Sequence, residues 1–236
     1  MPRKHLVASQ TNKKQQLQAK LWQKLAREIK AAVKVGGPNI EANPRLKAAV
    51  DKGLQNNLSR ESIQRNISGS SKDPAELSTL EFECYGPNGL QLVISALTDN
   101  INRTTSSLRG YLSKFHGEIA KPNSVKIFFD NRGDIIVYKD NHSIDGLMEL
   151  TMSYEIVDIL EHEDAFEILT SPADFYKVKD LLTNSGYRLF EGEVKLISQN
   201  KITSLDEDTK VRLEKLLTLC DEDEDIQWVV TNYEEA

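Results

Sequence analysis

Long apolar runs are missing from this chain of 236 residues, and so are clustered cysteines. No stretch approaches the roughly 20 apolar residues that a membrane span requires, and the opening residues lack the apolar core of a secretory signal. A cytoplasmic protein with no membrane partner is the expectation. Cys84 and Cys220 have no CxxC partner, which argues against a disulfide framework and against a zinc site. Both are expected to be reduced and half-buried. Catalytic signatures are missing too: no Gly-rich phosphate loop follows a strand, and no serine sits in a nucleophile elbow. His5, His116, His142 and His162 are scattered. His162 lies among Glu161, Glu163 and Asp164, but without the helical spacing of metal ligands an exposed polar turn is the simpler reading. The chain is therefore read as a non-enzyme, with no catalytic residue, metal or cofactor assigned.

What is present is an uneven distribution of charge. Residues 1–72 hold 15 Lys and Arg against 4 Asp and Glu, a net +11, whereas residues 73–236 hold 15 against 32, a net −17. Such a split points to a first third that meets a polyanion and a remainder that faces solvent or protein. Within the basic segment, residues 11–35 carry Leu21, Trp22, Leu25, Ile29, Ala32 and Val33 on one side of a helix. Lys13, Lys20, Lys24, Arg27 and Lys34 fall on the other side. Trp22, on the apolar side, is expected in the core rather than stacked on a base. Gly36-Gly37-Pro38 ends the helix. Asn43-Pro44 caps and opens a second one, and Ser59 caps a third. A polar linker follows at 68–75.

The nucleic-acid candidates are Arg3, Lys4, Lys13, Lys14, Lys20, Lys24, Arg27, Lys34, Arg45 and Lys47, with Lys52, Arg60 and Arg65 extending the positive surface. Grouped cations gain most from a polyanion because they release its condensed counterions. Few of these side chains suit the reading of base edges, so backbone or shape is expected to dominate.

Residues 80–119 organise the rest. Alternating residues on either side of Gly86-Pro87-Asn88-Gly89 form a hairpin. The second strand runs into Thr98-Asp99-Asn100, which offers oxygens to cap an amphipathic helix bearing Leu108, Tyr111, Leu112 and Phe115. Thr98, Asp99, Asn102, Arg103 and Arg109 form a polar knot there. Capping accounts for Thr98 and Asp99, while Arg103 and Arg109 are open to RNA, a protein partner or Glu83 of the hairpin.

Downstream, 124–129 is expected as a strand and 130–133 as a turn. Elements at 134–139 (strand), 143–154 (helix), 156–161 and 165–170 (strands), 171–185 (helix) and 187–197 (strand) follow. The order βαββαβ is that of a ferredoxin-like unit. A helix at 205–219 and a strand at 226–233 have no partner of their own, and they complete a second ββαβ…αβ unit begun at residue 80. The acidic run Asp221–Asp225 is expected to be a solvated loop between them. The fold class is thus α+β: a basic three-helix domain (1–72), a discontinuous α+β domain (80–130 and 200–236), and a ferredoxin-like domain (134–199) inserted into it.

Gly86-Pro87-Asn88-Gly89, then Thr98-Asp99-Asn100-Ile101-Asn102-Arg103-Thr104, then Arg109 resemble in order and spacing the signature of the YebC family. The likeness extends upstream to Lys24-Leu25-Ala26-Arg27-Glu28-Ile29 and to Gly36–Leu46, and weakens after Phe129. The opening residues Met1-Pro2-Arg3-Lys4-His5 depart from the Gly-His-Ser-Lys-Trp stretch common in that family. The resemblance implies one helical and two α+β domains, the third inserted in the second. It also implies DNA binding and transcription regulation in the cytoplasm. Through relatives linked to translation, the same resemblance implies an alternative: a ribosome-associated factor that binds ribosomal RNA and assists synthesis through difficult stretches such as polyproline. The oligomeric state is not readable from the sequence.

Overall fold

A computed structural model describes residues 3–70 and 77–234, with side chains from residue 18 onward. Residues 71–75 of the linker expected at 68–75, and the side chains of Arg3, Lys4, Lys13 and Lys14, lie outside the described residues, while Ser68 and Gly69 are still helical rather than part of a linker. In chain order, helix α1 (Arg3–Gly36) ends where Gly37 adopts a φ of +82°, a conformation that costs glycine little. Helix α2 (Pro44–Gln55) starts at the Asn43 cap, whose side chain accepts from the Leu46 N–H at 3.1 Å and donates to the carbonyls of Ala32 and Gly37. One buried amide thus joins the end of α1 to the start of α2. Helix α3 (Arg60–Gly69) is capped by Ser59. Leu25, Ile29, Leu46, Val50, Ile63 and Ile67 meet in a shared core, each fully buried side chain of this size contributing about 1.5–3 kcal/mol.

Strands β1 (Ser78–Tyr85) and β2 (Gln91–Thr98) pair antiparallel from Ser78↔Thr98 to Tyr85↔Gln91. Asn88 and Gly89 close the turn at φ 57° and 77°, a region open to glycine and tolerated by asparagine. Helix α4 (Ile101–Phe115) is capped by Asn100, and β3 follows as a two-residue strand, Glu118–Ile119. Next come β4 (Phe129–Tyr138), α5 (Ile144–Thr151), β5 (Ile156–Glu161), β6 (Ala165–Thr170), α6 (Phe175–Asn184) and β7 (Leu189–Ser198). Helix α7 (Glu207–Glu222), capped by Asp206, and β8 (Ile226–Thr231) complete the chain.

These elements form two compact units. One comprises Met1–Ile127 with Lys201–Ala236, and the other Phe128–Asn200. In the first, the sheet order is β3-β1-β2-β8, and α4 and α7 lie on its apolar face over Cys84, Leu92 and Ile94. Cys84 and Cys220 are fully buried in that core, not half-buried as expected, and burial pushes each thiol up to about 12. In the second unit the order is β5-β6-β4-β7, antiparallel throughout, which is the ferredoxin-like arrangement. Its core gathers Ile135, Val137, Leu147, Phe166, Phe175 and Val178.

Two local expectations are corrected. Residues 124–128 of the strand expected at 124–129 are not a strand, Phe129 instead opening β4, and 130–133 is not a turn. The backbone N–H groups of Asn123, Val125 and Lys126 donate to the Glu83 carboxylate at 2.5–2.7 Å, so this stretch satisfies its donors on a side chain instead of a ladder. A short 3-10 turn at Lys126–Phe128 follows. From Phe129 the chain stays extended through Asp130–Gly133, because every one of these residues pairs with β7. The third strand of the first sheet is accordingly Glu118–Ile119. Trp22 is also placed differently: it is 38% exposed, and its indole N–H donates to the Asn56 carbonyl at 2.9 Å.

Candidate nucleic-acid interface

The antiparallel pairing of β8 with β2 sets the start of β8 beside the end of β2, with Ile226 opposite Ala96. That register carries the acidic segment before β8 to the strand-to-helix junction at Thr98. Asp225, 5% exposed, becomes the centre of the junction. Its Oδ2 accepts from Arg103 Nη2 at 2.7 Å, from Thr104 Oγ1 at 2.8 Å, and from Arg103 Nε and Thr98 Oγ1 at 3.2 Å. Its backbone carbonyl accepts from Leu97 N at 2.7 Å. Burial pushes this carboxyl up, but the donors and the Arg103 charge outweigh burial and hold it below its ordinary range. Arg103 also bridges to Asp99 at 2.8 Å, one turn back along the chain.

The same acidic segment grips α1. Arg27 Nη2 lies 3.2 Å from Asp225 Oδ1, and its Nη1 donates to the Glu224 carbonyl at 2.8 Å. Lys24, 8% exposed, donates to the Cys220 carbonyl at 3.2 Å. A cation there faces the negative end of the α7 dipole. Burial lowers the Lys24 pKa, opposed by the charges of Asp221 and Asp223. Tyr111 completes the contact by donating to Asp223 at 2.9 Å, and burial followed by that carboxylate pushes its hydroxyl up to about 12. Between α1, α4 and the acidic segment runs a cleft of about 670 Å³ bordered by Lys20, Lys30, Ser107 and Glu222.

This geometry divides the candidate cations. Lys24 and Arg27 are turned onto carbonyls and carboxylates of the acidic segment, so they are not part of a solvated stripe. Arg45 pairs with Glu28 at 2.9 Å and donates to Thr79 Oγ1, and Lys47 lies 3.6 Å from Glu41. Lys34 is exposed near the end of α1. Lys20, Arg60 and Arg65 make no ion pair with any described residue. Arg3, Lys4, Lys13 and Lys14 fall outside the described side chains.

Within the polar knot, Thr98, Asp99 and Arg103 come together, while Asn102 and Arg109 point away on the exposed side of α4. The helix cap itself is Asn100, which accepts from Arg103 N at 3.0 Å; Thr98 Oγ1 accepts from Asn100 N at 2.9 Å. Neither arginine reaches Glu83, whose oxygens are taken by the 123–126 backbone.

Sequence reasoning missed Asp225 and Thr104. Asp225 sits in a run of five acidic residues, and nothing in that run distinguishes the one that the β2–β8 register buries. Thr104, four residues before Leu108 on the buried face of α4 that also carries Leu112 and Phe115, had a helical-spacing signal for facing inward. The expected solvated loop at Asp221–Asp225 is therefore a structural clamp. His162 binds Glu167 at 2.9 Å, and among the described residues no group of His, Cys, Asp and Glu is arranged to hold a metal ion. No helix among them is long and apolar enough to cross a membrane.

Residues 3–73 match the family model described as the TACO1/YebC protein N-terminal domain, and residues 77–233 the model described as the TACO1/YebC second and third domain. A Malacoplasma penetrans protein named probable transcriptional regulatory protein is 53% identical over 247 residues, covering 100% of this chain and 99% of its own length. A similarly named Ureaplasma urealyticum protein is 52% identical, with 100% and 99% covered. The crystal structure of a conserved hypothetical protein from Aquifex aeolicus superposes with a TM-score of 0.77 at 31% identity, over 92% of this chain and 90% of that one.

Proposed function

Because the chain belongs to the TACO1/YebC family, we propose that it is a non-enzymatic nucleic-acid-binding regulator, acting on DNA in the control of transcription as the names of its relatives have it. The observation that carries this reading is the charge left on the helical part after internal pairing. Residues 18–70 hold 10 Lys and Arg against 4 Asp and Glu, and Lys20, Arg60 and Arg65 keep no carboxylate partner among the described residues. The basic residues 3, 4, 13 and 14 add to the same segment. Cations without internal partners are the ones that release counterions from a phosphate backbone. Lys24 and Arg27 have a different task in this reading: they fasten α1 to the acidic clamp and so fix where the remaining cations stand.

The test is a triple reversal, Lys20→Glu, Arg60→Glu and Arg65→Glu, assayed by fluorescence anisotropy on labelled duplex DNA across a salt series. Affinity falls, and the slope of log K against log salt flattens by roughly two to three units, since each lost phosphate contact removes about 0.9. Thermal unfolding stays close to wild type. An unchanged affinity and slope would remove the reading. Salt-sensitive co-sedimentation with ribosomes, with no preference among duplex sequences, would replace transcription by the translation role.

A further inference from the structure

The ferredoxin-like unit has one sheet face that its own helices leave uncovered. Ile135, Val137, Phe166 and Ile168 point into the core with α5 and α6. Alternation along the strands therefore puts Asp134, Ile136 and Tyr138 of β4, with Glu167 and Leu169 of β6, on the opposite face. The ladders set Ile136 between Glu167 on one side and Glu191 on the other. Half-buried Ile136 and Leu169 thus stand among the carboxylates of Asp134, Glu167, Glu191 and Glu193, with Arg132 and Lys195 paired across the ladder at the next position of the same face.

One corner of this face is aromatic. Phe190 is 61% exposed and stands edge-on to Tyr138, with centroids 5.5 Å apart and planes at 88°. The Arg188 guanidinium lies 3.8 Å from the Tyr138 centroid and is held there by Asp140 at 3.0 Å. The Tyr138 ring is thus already used as a seat for a cation. Nearby, Asp134 is 3% exposed; Lys195 reaches its Oδ2 at 2.5 Å, while its Oδ1 has no hydrogen-bond partner.

The unit's charge decides which polymer suits such a face. Residues 128–200 hold 15 Asp and Glu against 6 Lys and Arg, a net −9. A phosphate backbone is repelled by that field, whereas a cationic partner is drawn to it. We propose that the open β5-β6-β4-β7 face is a docking surface for a Lys/Arg-rich protein segment with apolar residues between its cations. Its apolar side chains would lie over Ile136 and Leu169, and its cations would meet Glu167, Glu191 and the Phe190 ring. Nucleic acid and protein would then be bound by different parts of the chain, chosen by the sign of their charge.

The experiment uses the full chain, isotope-labelled for NMR, and a synthetic peptide of alternating lysine and leucine as the probe. A glutamate–leucine peptide and oligothymidylate serve as comparisons. The lysine peptide shifts amides around Ile136, Glu167 and Glu191, and the other two probes leave those amides in place. Glu191→Lys combined with Phe190→Ala, both exposed positions, weakens peptide binding by about tenfold, the loss of one charge pair and one aromatic contact. Asp180→Lys on the exposed side of α6 makes the same charge reversal away from the face, and it leaves binding within about twofold because the charges are screened beyond a Debye length. Equal weakening by the two reversals would reduce the effect to diffuse charge and overturn the proposal. Perturbed amides on the helical side of the unit, or oligothymidylate bound at the sheet face, would overturn it as well.

Discussion

Replacing Asp225 by alanine removes the acceptor on which two elements distant in sequence converge. Its carboxylate receives five hydrogen bonds, from Thr98, Thr104, both Nε and Nη2 of Arg103, and Arg27. Bonds to a charged group contribute about 1.5–3 kcal/mol each when deleted singly, but they do not add. Thr104 Oγ1 keeps the Asn100 carbonyl at 3.1 Å as a second acceptor, and the two guanidinium groups recover water. The expected loss is about 3 kcal/mol, near the lower end for breaking a buried pair from one side. For a chain of this size that lowers Tm by roughly 6–12 °C. Urea unfolding followed by tryptophan fluorescence measures it, since Trp22 in α1 and Trp228 in β8 both belong to the unit that holds Asp225. The pH dependence supplies a second arm. The folded Asp225 pKa lies below its unfolded value, so its stabilisation is complete above the unfolded pKa of about 3.9 and disappears as pH falls through the folded value. The gap between wild type and Asp225→Asn is therefore widest above about pH 5 and closes in acid. A loss under about 1 kcal/mol for alanine, or a gap to asparagine that persists at low pH, would refute the clamp.

Glu83→Ala strips the 123–126 segment of its acceptor. It costs about 2–3 kcal/mol and speeds amide exchange at Asn123, Val125 and Lys126; unaltered protection there would show that the loop is held by something else. In β4, a Cβ at Gly133 would stand 2.3 Å from Thr170 Oγ1 and 2.8 Å from the Phe175 Cβ. Gly133→Ala should cost about 2–3 kcal/mol of overpacking, read as faster exchange at Ile135 and Val137. Adding Thr170→Ala rescues only part of it, because Phe175 still blocks the site. Full rescue would mean that the sheet shifts freely at this point.

Much of the architecture is legible in the sequence, because it rests on short-range chemistry. Asn43-Pro44 and Ser59 announced helix starts, since a cap needs only its own side chain and the next turn. Gly86–Gly89 announced its hairpin, since Asn88 and Gly89 accept positive φ. The βαββαβ order followed from periodicities that change from 3.6 to 2. Where composition and pairing disagreed, pairing prevailed: Asp130–Gly133 has the residues of a turn yet stays extended along β7.

The amino-acid sequence by itself determined the elements, their order, the concentration of positive charge in the first third and the apolar faces available for burial. Tertiary structure alone decided which charges remain available. Lys24 and Arg27 meet partners 196 to 198 residues away, and those meetings depend on the register that carries β8 to the end of β2. Periodicity places a cation on a helix face, but only the packed neighbour determines whether that face meets water, a carbonyl or a carboxylate.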